Sequence, residues 1–489
     1  DPERRPPALD PRRRIAADLY NRGLTEGFAS ADGKTVELKA GSYPLPFGSL
    51  DVTFDESKLR WGRRKLVRFV PVADLEVSGL ATRYRWPGLG APLAASTEPL
   101  DPAQGFDDFV QPWAKVPVTA LLRIERPGAR IQEGRVEGEL DLIAAAGPTW
   151  VTVNQQSVPL EVESSATLAY TLAESPVWKQ EIEGFLRGAG VVSEHARLAA
   201  LAPYQPGRIP VVLVHGTASS SGRWAQMLNE LANDRRLQER YQFWLFTYDT
   251  GNPILYSGMR LREALASAFA KLDPDGKDEA LQQMVMIGHS QGGLLTRLAV
   301  TSSGTRFWEN VSRGPFEEAD FDARSADLLR RTFFFDPVAQ VKRVVFVATP
   351  QHGSYVAGNP LAHLVARLVT FPLDVVHVFG DLIRRNQDAL TMATAVQLPT
   401  AVDNMTPGSP FIRALDDLPI ASGVASHSII AVDGDGPVED GNDGVVEYRS
   451  AHVDFTDSEL VVRSPHSCQD DPNTIGEVRR ILLEHLVSQ

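Results

Sequence analysis

The chain has one cysteine, Cys468, so no internal disulfide can form. That suits a cytosolic protein, and equally a disulfide-free envelope protein. No apolar run is long enough to span a bilayer as a helix. There is no basic excess. Lys and Arg number 49 against 62 Asp and Glu, a net charge of −13, and that balance leaves nothing to neutralise a phosphate backbone and argues against nucleic acid as a partner. Internal repeats and low-complexity tracts are also missing. The numbering begins at Asp1 rather than Met, so we expect a processed or trimmed form in which a signal or lipid-anchor segment would not be seen. The cluster Arg12-Arg13-Arg14 reads as a solvated helix start. What is present is the apolar content of a globular protein, 43%, on 489 residues. That length exceeds one ordinary core and predicts two or more domains.

The texture of the sequence changes along its length. Residues 1–10 are rich in Pro and charge and read as disordered, and residues 11–25 read as a short amphipathic helix ended by Gly23, so that 1–34 is a tail with one helix. From 35 to 172, short apolar or alternating runs recur between Gly, Pro and Asp: Thr35–Leu38, Leu50–Phe54, Lys65–Val72, Val116–Ile124, Gly134–Ile143, Trp150–Val153 and Ala166–Leu172. Such spacing predicts a mostly-β accessory domain, sandwich-like. Residues 173–207 read as a helical linker, with the helix over about 175–201, closing on the Pro/Gly-rich junction Pro203–Pro210. From 208 to 489, apolar strand-like runs alternate with helices. Val211–Val214, Phe243–Tyr248, Met284–Ile287, Val341–Val347 and Ser428–Val432 are nearly all apolar, as parallel strands covered on both faces must be. The fold class expected is therefore α/β, a doubly wound and mostly parallel sheet with its site at the carboxyl ends of the strands. Between 355 and 419 amphipathic helices replace strands and predict a helical cap.

The densest chemical signal is Val285-Met-Ile-Gly-His-Ser-Gln-Gly-Gly293, followed by the apolar helix Leu294–Val300. This is a Gly-x-Ser-x-Gly nucleophile elbow between a strand and a helix. It predicts Ser290 as the nucleophile, held in a strained backbone conformation with its hydroxyl raised above the sheet. An elbow needs a base, an orienting carboxylate and an oxyanion hole. In this fold the order is serine, acid, histidine, which leaves His452, His466 and His485 as bases. His466 lies between the strand-like run Glu459–Arg463 and the terminal helix Thr474–Leu486, where the base must sit. The acid stays open between Asp433 and Asp435, directly after Ser428–Val432, and Asp443 in Gly441-Asn-Asp-Gly-Val-Val446. For the oxyanion hole we expect the N–H of Gln291, at a helix start, and that of Thr217, after the strand-like Val211–Val214 and His215-Gly216. His215 and His289 border the site as orienting or packing groups rather than bases.

Val-His-Gly-Thr217, Gly-His-Ser-Gln-Gly292, Ala348-Thr-Pro-Gln-His-Gly-Ser354 and Asn442-Asp-Gly-Val-Val446 together resemble the α/β-hydrolase superfamily, most nearly its bacterial lipase and GPI-inositol-deacylase-like branch. The resemblance covers about 208–489. It implies Asp443 as the acid, since that residue matches the Asp of the family's Asp-Gly-Val-Val. Gln351 before His352 departs from the family's Thr-Pro motif, and no catalytic role is carried over to His352. Some bacterial lipases bind calcium near the acid and base. Asp440, Asp470 and Asp471 lie in those neighbourhoods but do not match the family's ligands individually, so no metal and no cofactor is expected.

The reaction expected is hydrolysis of a carboxylic ester through an acyl-enzyme. The substrate is an ester or lipid-like small molecule, with an apolar cap lined by Leu361, Leu364, Val365, Leu368, Phe371, Val375 and Phe379. Ordinary packing of those helices is the bland alternative. An acyltransferase with the same triad, or a non-catalytic binding protein on a hydrolase fold, are the other classes. For residues 35–172 we expect a passive support rather than a carbohydrate- or surface-binding module, for which Trp61, Trp86, Trp113 and Trp150 would be the candidates. A secreted or cell-envelope location is expected over a cytoplasmic one, with peripheral membrane association open and oligomeric state undetermined.

Overall fold

The computed structural model describes residues 11–101, 109–125, 127–144, 149–153, 156–175, 196–217, 219–354, 373–386 and 400–488. The chain divides into two compact units, one of residues 1–175 with 201–203 and 228–235, the other of 176–200, 204–227 and 236–489. No described helix is long and apolar enough to cross a membrane.

In the first unit, β1 (Gly41–Leu45), β2 (Gly48–Phe54), β3 (Arg60–Trp61), β4 (Arg64–Pro71), β6 (Ala91–Pro99), β7 (Val116–Ile124) and β8 (Arg135–Ala144) form one seven-stranded sheet. Its order is β1-β2-β8-β7-β6-β4-β3, antiparallel except where β2 runs beside β8. Two-stranded pairs add β5 (Arg85–Trp86) to β11 (Val162–Glu163), and β9 (Trp150–Val153) to β10 (Gln156–Pro159). Side chains alternate faces along a strand, and β6 shows what each face meets. Ala91, Leu93 and Ala95 pack with Leu24 and Phe28, from and just after the helix Pro11–Gly27, while Ala94 packs with Ala166 of the helix Ser164–Glu174. Among the described residues a helix therefore packs on each face of the seven-stranded sheet, with the β5–β11 pair beside it.

Two runs differ in type from expectation. Ala166–Leu172 looks strand-like from its Thr and Tyr content, yet it lies in the helix Ser164–Glu174. The Glu163 carboxylate caps that helix by accepting from the Ala166 N–H at 3.0 Å, and Thr167 and Thr171 turn their hydroxyls back onto carbonyls four residues earlier. Conversely, the end of the expected linker helix is strand β12 (Arg197–Ala200). Residues 176–195 lie outside the described residues, as do 1–10. Thr35–Leu38 makes only isolated bridges, through Val36.

The second unit is built on β12, β13 (Ile209–Val214), β14 (Tyr241–Thr247), β15 (Met284–His289), β16 (Val341–Val347), β17 (Ala425–Ala431) and β18 (Ser458–Val462), in the order β12-β14-β13-β15-β16-β17-β18. Every pairing is parallel except β12 with β14, at one edge. All residues of β13 and β15 are buried, which is why both read as unbroken apolar runs. Because the strands run parallel, the loops after β13, β15, β17 and β18 emerge at the same end of the sheet. Between β16 and β17 the described insertion contains the helices Leu373–Arg385, Ala401–Met405 and Pro410–Asp416. Val378 and Leu382 of the first are buried. Leu361, Leu364, Val365, Leu368 and Phe371 lie outside the described residues, as do the side chains of Val375 and Phe379.

Candidate active site

Strand β15 ends at His289 and a helix begins at Gln291, so one residue makes the turn. Ser290 does so at φ 53°, ψ −124°. That is a backbone region which side-chain-bearing residues rarely adopt and which costs about 1–3 kcal/mol. The surrounding structure holds it there. The Ser290 N–H donates to the Val347 carbonyl at 2.9 Å, and the Gly293 N–H donates to the Ser290 carbonyl at 2.9 Å. Close crossing of strand and helix requires Gly292, where a Cβ would stand 2.3 Å from the Val214 oxygen and 2.5 Å from the His215 oxygen. A second strained residue, Ala348 at φ 46°, follows β16, and its N–H donates to the Ile429 carbonyl at 2.8 Å.

The loop after β18 brings His466 over this turn. Its Nε2 lies 2.9 Å from Ser290 Oγ, and its Nδ1 lies 2.7 Å from Asp443 Oδ2. A carboxylate only accepts, so Nδ1 carries the proton and Nε2 presents its lone pair to the serine hydroxyl. Asp443 sits in the turn after β17 and is 3% exposed. Its other oxygen accepts from the N–H groups of Val445 and Val446 at 2.9 and 2.7 Å. Its main-chain carbonyl accepts the His466 N–H at 2.9 Å. Asp443 and His466 are thus joined through backbone and side chain together.

Beside the serine, the Thr217 hydroxyl donates to Gln291 Oε1 at 2.6 Å, and Gln291 Nε2 donates to the Thr250 carbonyl at 3.2 Å. The wholly buried Gln291 side chain therefore ties together the loops after β13 and β14. As the first residue of its helix, Gln291 also has a backbone N–H without an intrahelical acceptor. Two more imidazoles line this region. His215 stacks on Tyr248 with ring centroids 4.7 Å apart and bonds the Gly216 carbonyl through Nδ1 at 3.1 Å. Burial pushes its pKa down to about 4. Burial and the neighbouring His466 push His289 down to about 3. Both are neutral at ordinary pH.

The remaining candidates lie elsewhere. Asp433 and Asp435 are exposed, and Asp433 turns its carboxylate onto the Gly434 N–H. His452 pairs with Glu459 at 2.7 Å, and His485 is buried against Arg343 and the Gln283 carbonyl. His352 pairs with Asp416 at 3.0 Å. Of the carboxylates weighed for calcium, Asp440 pairs with Arg449 and Asp471 caps the terminal helix Pro472–Val487. Among the described residues one trio, Asp322, His377 and Asp381, brings possible ligand atoms within 4.8 Å of one another. Asp322 caps the helix Ala323–Phe333 and Asp381 pairs with Arg384, so both carboxylates already have protein partners. Sequence reasoning misses the strain at Ala348 and the bridging role of the Gln291 side chain. The Ala348-Thr-Pro motif and the Gln of the elbow are the signals that could have found them.

Residues 209–350 match the family model described as "Putative serine esterase (DUF676)". The match contains Thr217, Ser290 and Gln291 and ends before Asp443 and His466. No match is found among the curated proteins. Among solved structures, the lipase BlEst2 of Bacillus licheniformis in mature form is similar over 57% of this chain and 93% of its own, at 16% identity and a TM-score of 0.34. The phospholipase PlaB of Legionella pneumophila is similar over 50% of this chain and 45% of its own, at 14% identity and a TM-score of 0.30. A metagenomic carboxyl esterase is similar over 58% and 75%, at 17% identity and a TM-score of 0.28. The elbow after β15 and the strand order around it agree with the matched segment: the second unit has the α/β-hydrolase fold, and its residues 209–350 are similar to the serine-esterase family.

Proposed function

We propose that the second unit hydrolyses carboxylic esters through an acyl-enzyme on Ser290. The observation that carries this reading is the continuous hydrogen-bonded chain from Ser290 Oγ through His466 to Asp443, set on a strained elbow. His466 Nε2 takes the hydroxyl proton as Oγ bonds to the ester carbonyl carbon. The carbonyl oxygen becomes an oxyanion, which the N–H groups of Gln291 and Thr217 stabilise. The bond to the alcohol then breaks, and His466 returns the proton to the departing oxygen. Water repeats the sequence on the acyl-enzyme, with His466 again the base. Asp443 keeps the proton on Nδ1 and offsets the charge of the imidazolium.

An ester with an acyl chain is the substrate class we favour, in line with the serine-esterase description of the matched segment. Ser290→Ala should abolish hydrolysis of p-nitrophenyl butyrate and labelling by a fluorophosphonate. Either property surviving in that variant sinks the mechanism. A series of p-nitrophenyl esters of increasing acyl length then tests the substrate class, and a rate that falls steadily from the acetate would count against an acyl-chain site.

A further inference from the structure

The residue before the nucleophile carries a buried imidazole for which the reaction above has no use. His289 Nε2 lies 2.9 Å from the main-chain oxygen of His466, 177 positions away in the chain. The rings of His289 and His466 are 5.0 Å apart and tilted by 48°. A carbonyl oxygen only accepts, so Nε2 of His289 carries the proton and donates it. Burial of the ring disfavours the charged form, so His289 is a neutral donor with this tautomer. Its depressed pKa, about 3 from burial and the nearby His466, agrees with that state.

The contact completes the fastening of the base. His466 is held at its N–H by the Asp443 carbonyl, at Nδ1 by the Asp443 carboxylate, and at its carbonyl by His289, beside the Cys468 N–H of its own loop. The first two holds come from the loop after β17. Only the third comes from β15, the strand that carries Ser290, so it alone among these fixes the base's loop directly to the nucleophile's strand. Space is kept for it: a Cβ on Gly216 would stand 3.0 Å from His289 Nδ1 and 2.8 Å from Ser290 Cβ.

We propose that His289 is a positioning residue, whose Nε2–H tethers the His466 loop to the nucleophile strand and so sets the Ser290–His466 distance. The proposal rests on the ester-hydrolase reading above. It predicts different fates for two amides of similar polarity. Glutamine places its N–H near the position of imidazole Nε2, whereas asparagine reaches only as far as Nδ1. In p-nitrophenyl butyrate hydrolysis, His289→Gln should keep kcat within about threefold of the parent. His289→Asn should lower kcat by about 10–100-fold with KM little changed, the size expected when a catalytic group is misplaced by about an ångström. Fluorophosphonate labelling should slow in parallel. Equal kcat for the two variants, both retained or both lost, would overturn the proposal. A second measurement does not depend on turnover. In Ser290→Ala protein, the imidazole ¹⁵N spectrum should show His289 neutral with its proton on Nε2 from pH 5 to pH 9. A proton on Nδ1, or titration in that range, would overturn the tether even where the parent protein hydrolyses no ester, a result that by itself would count only against the ester-hydrolase reading.

Discussion

A neutral imidazole has one lone pair, and which ring nitrogen holds it decides whether His466 can serve Ser290. Asp443 makes that choice by accepting at Nδ1. Asparagine in its place can turn an N–H toward Nδ1 and stabilise the wrong tautomer. We expect Asp443→Asn to lower kcat on p-nitrophenyl butyrate by on the order of 10³–10⁴, the loss seen when a triad carboxylate becomes an amide. Asp433→Asn, at an exposed turn, should stay within about twofold. The reverse ranking would move the acid to Asp433. At this scale the sequence is partly readable. Of the proposed triad, Ser290 is marked by its motif and His466 by lying between the last strand and the last helix. The acid is not separable from the residues alone, because Asp433, Asp435 and Asp443 all stand in Asp-Gly turns that any solvated loop would use. What distinguishes Asp443 is burial and two backbone donors from Val445 and Val446, which are products of the folded turn.

At the scale of elements, legibility follows local side-chain content. Val116–Ile124, Trp150–Val153 and Val341–Val347 are strands with the bounds their sequence suggests, and each has the β-branched or aromatic content that strands favour. Arg197–Ala200 reads wrongly as helix because two alanines and a leucine favour one locally, while pairing with the free edge of β14 decides the outcome. The elbow is the element where backbone geometry is most demanding. In Gly292→Ala the new Cβ meets two main-chain oxygens, at 2.3 and 2.5 Å, neither of which can move without shifting the end of β13. We expect a loss of about 3 kcal/mol or more, from overpacking against backbone, together with loss of activity. Gly476, inside the terminal helix Pro472–Val487, has nothing within 4 Å of where a Cβ would stand and no unusual φ. Gly476→Ala should therefore stabilise the protein by about 0.5–1 kcal/mol. Urea midpoints for the two variants give the check, and a Gly292→Ala midpoint equal to the parent's would show that the crossing is looser than described.

Four buried imidazoles of the second unit, His215, His289, His427 and His485, are kept neutral by folding, which ties stability to pH. At the start of the central strands, buried Arg343 donates from one terminal nitrogen to His427 Nε2 at 2.6 Å and from Nε to His485 Nδ1 at 3.3 Å. Ser458 meets His427 Nδ1 at 2.7 Å, and the Gln283 carbonyl accepts from His485 Nε2. Protonating either ring would set a second cation against the guanidinium, with Glu484 the carboxylate paired to it. Burial first, and then Arg343, push His427 down to about 4, and burial also lowers His485. His215 and His289 at the other end of the strands are depressed too. An unfolded histidine titrates near 6.5. Above that pH neither state takes up the proton and the stability is complete. As pH falls below it the unfolded chain binds protons that the folded chain refuses, so stability is lost progressively until the folded rings themselves titrate, His427 and His215 at about 4 and His289 at about 3. Each unit of separation is worth about 1.4 kcal/mol, so His427 alone accounts for roughly 2–3 kcal/mol between about pH 7.5 and pH 4. Glutamine at position 427 can still accept from Arg343 through its carbonyl oxygen and cannot be protonated. We expect His427→Gln to be slightly less stable than the parent at pH 7.5 and to lose less stability on going to pH 4.5, as read from urea midpoints at the two pH values. Parallel losses in parent and variant would mean that His427 is not among the groups through which acid destabilises the fold.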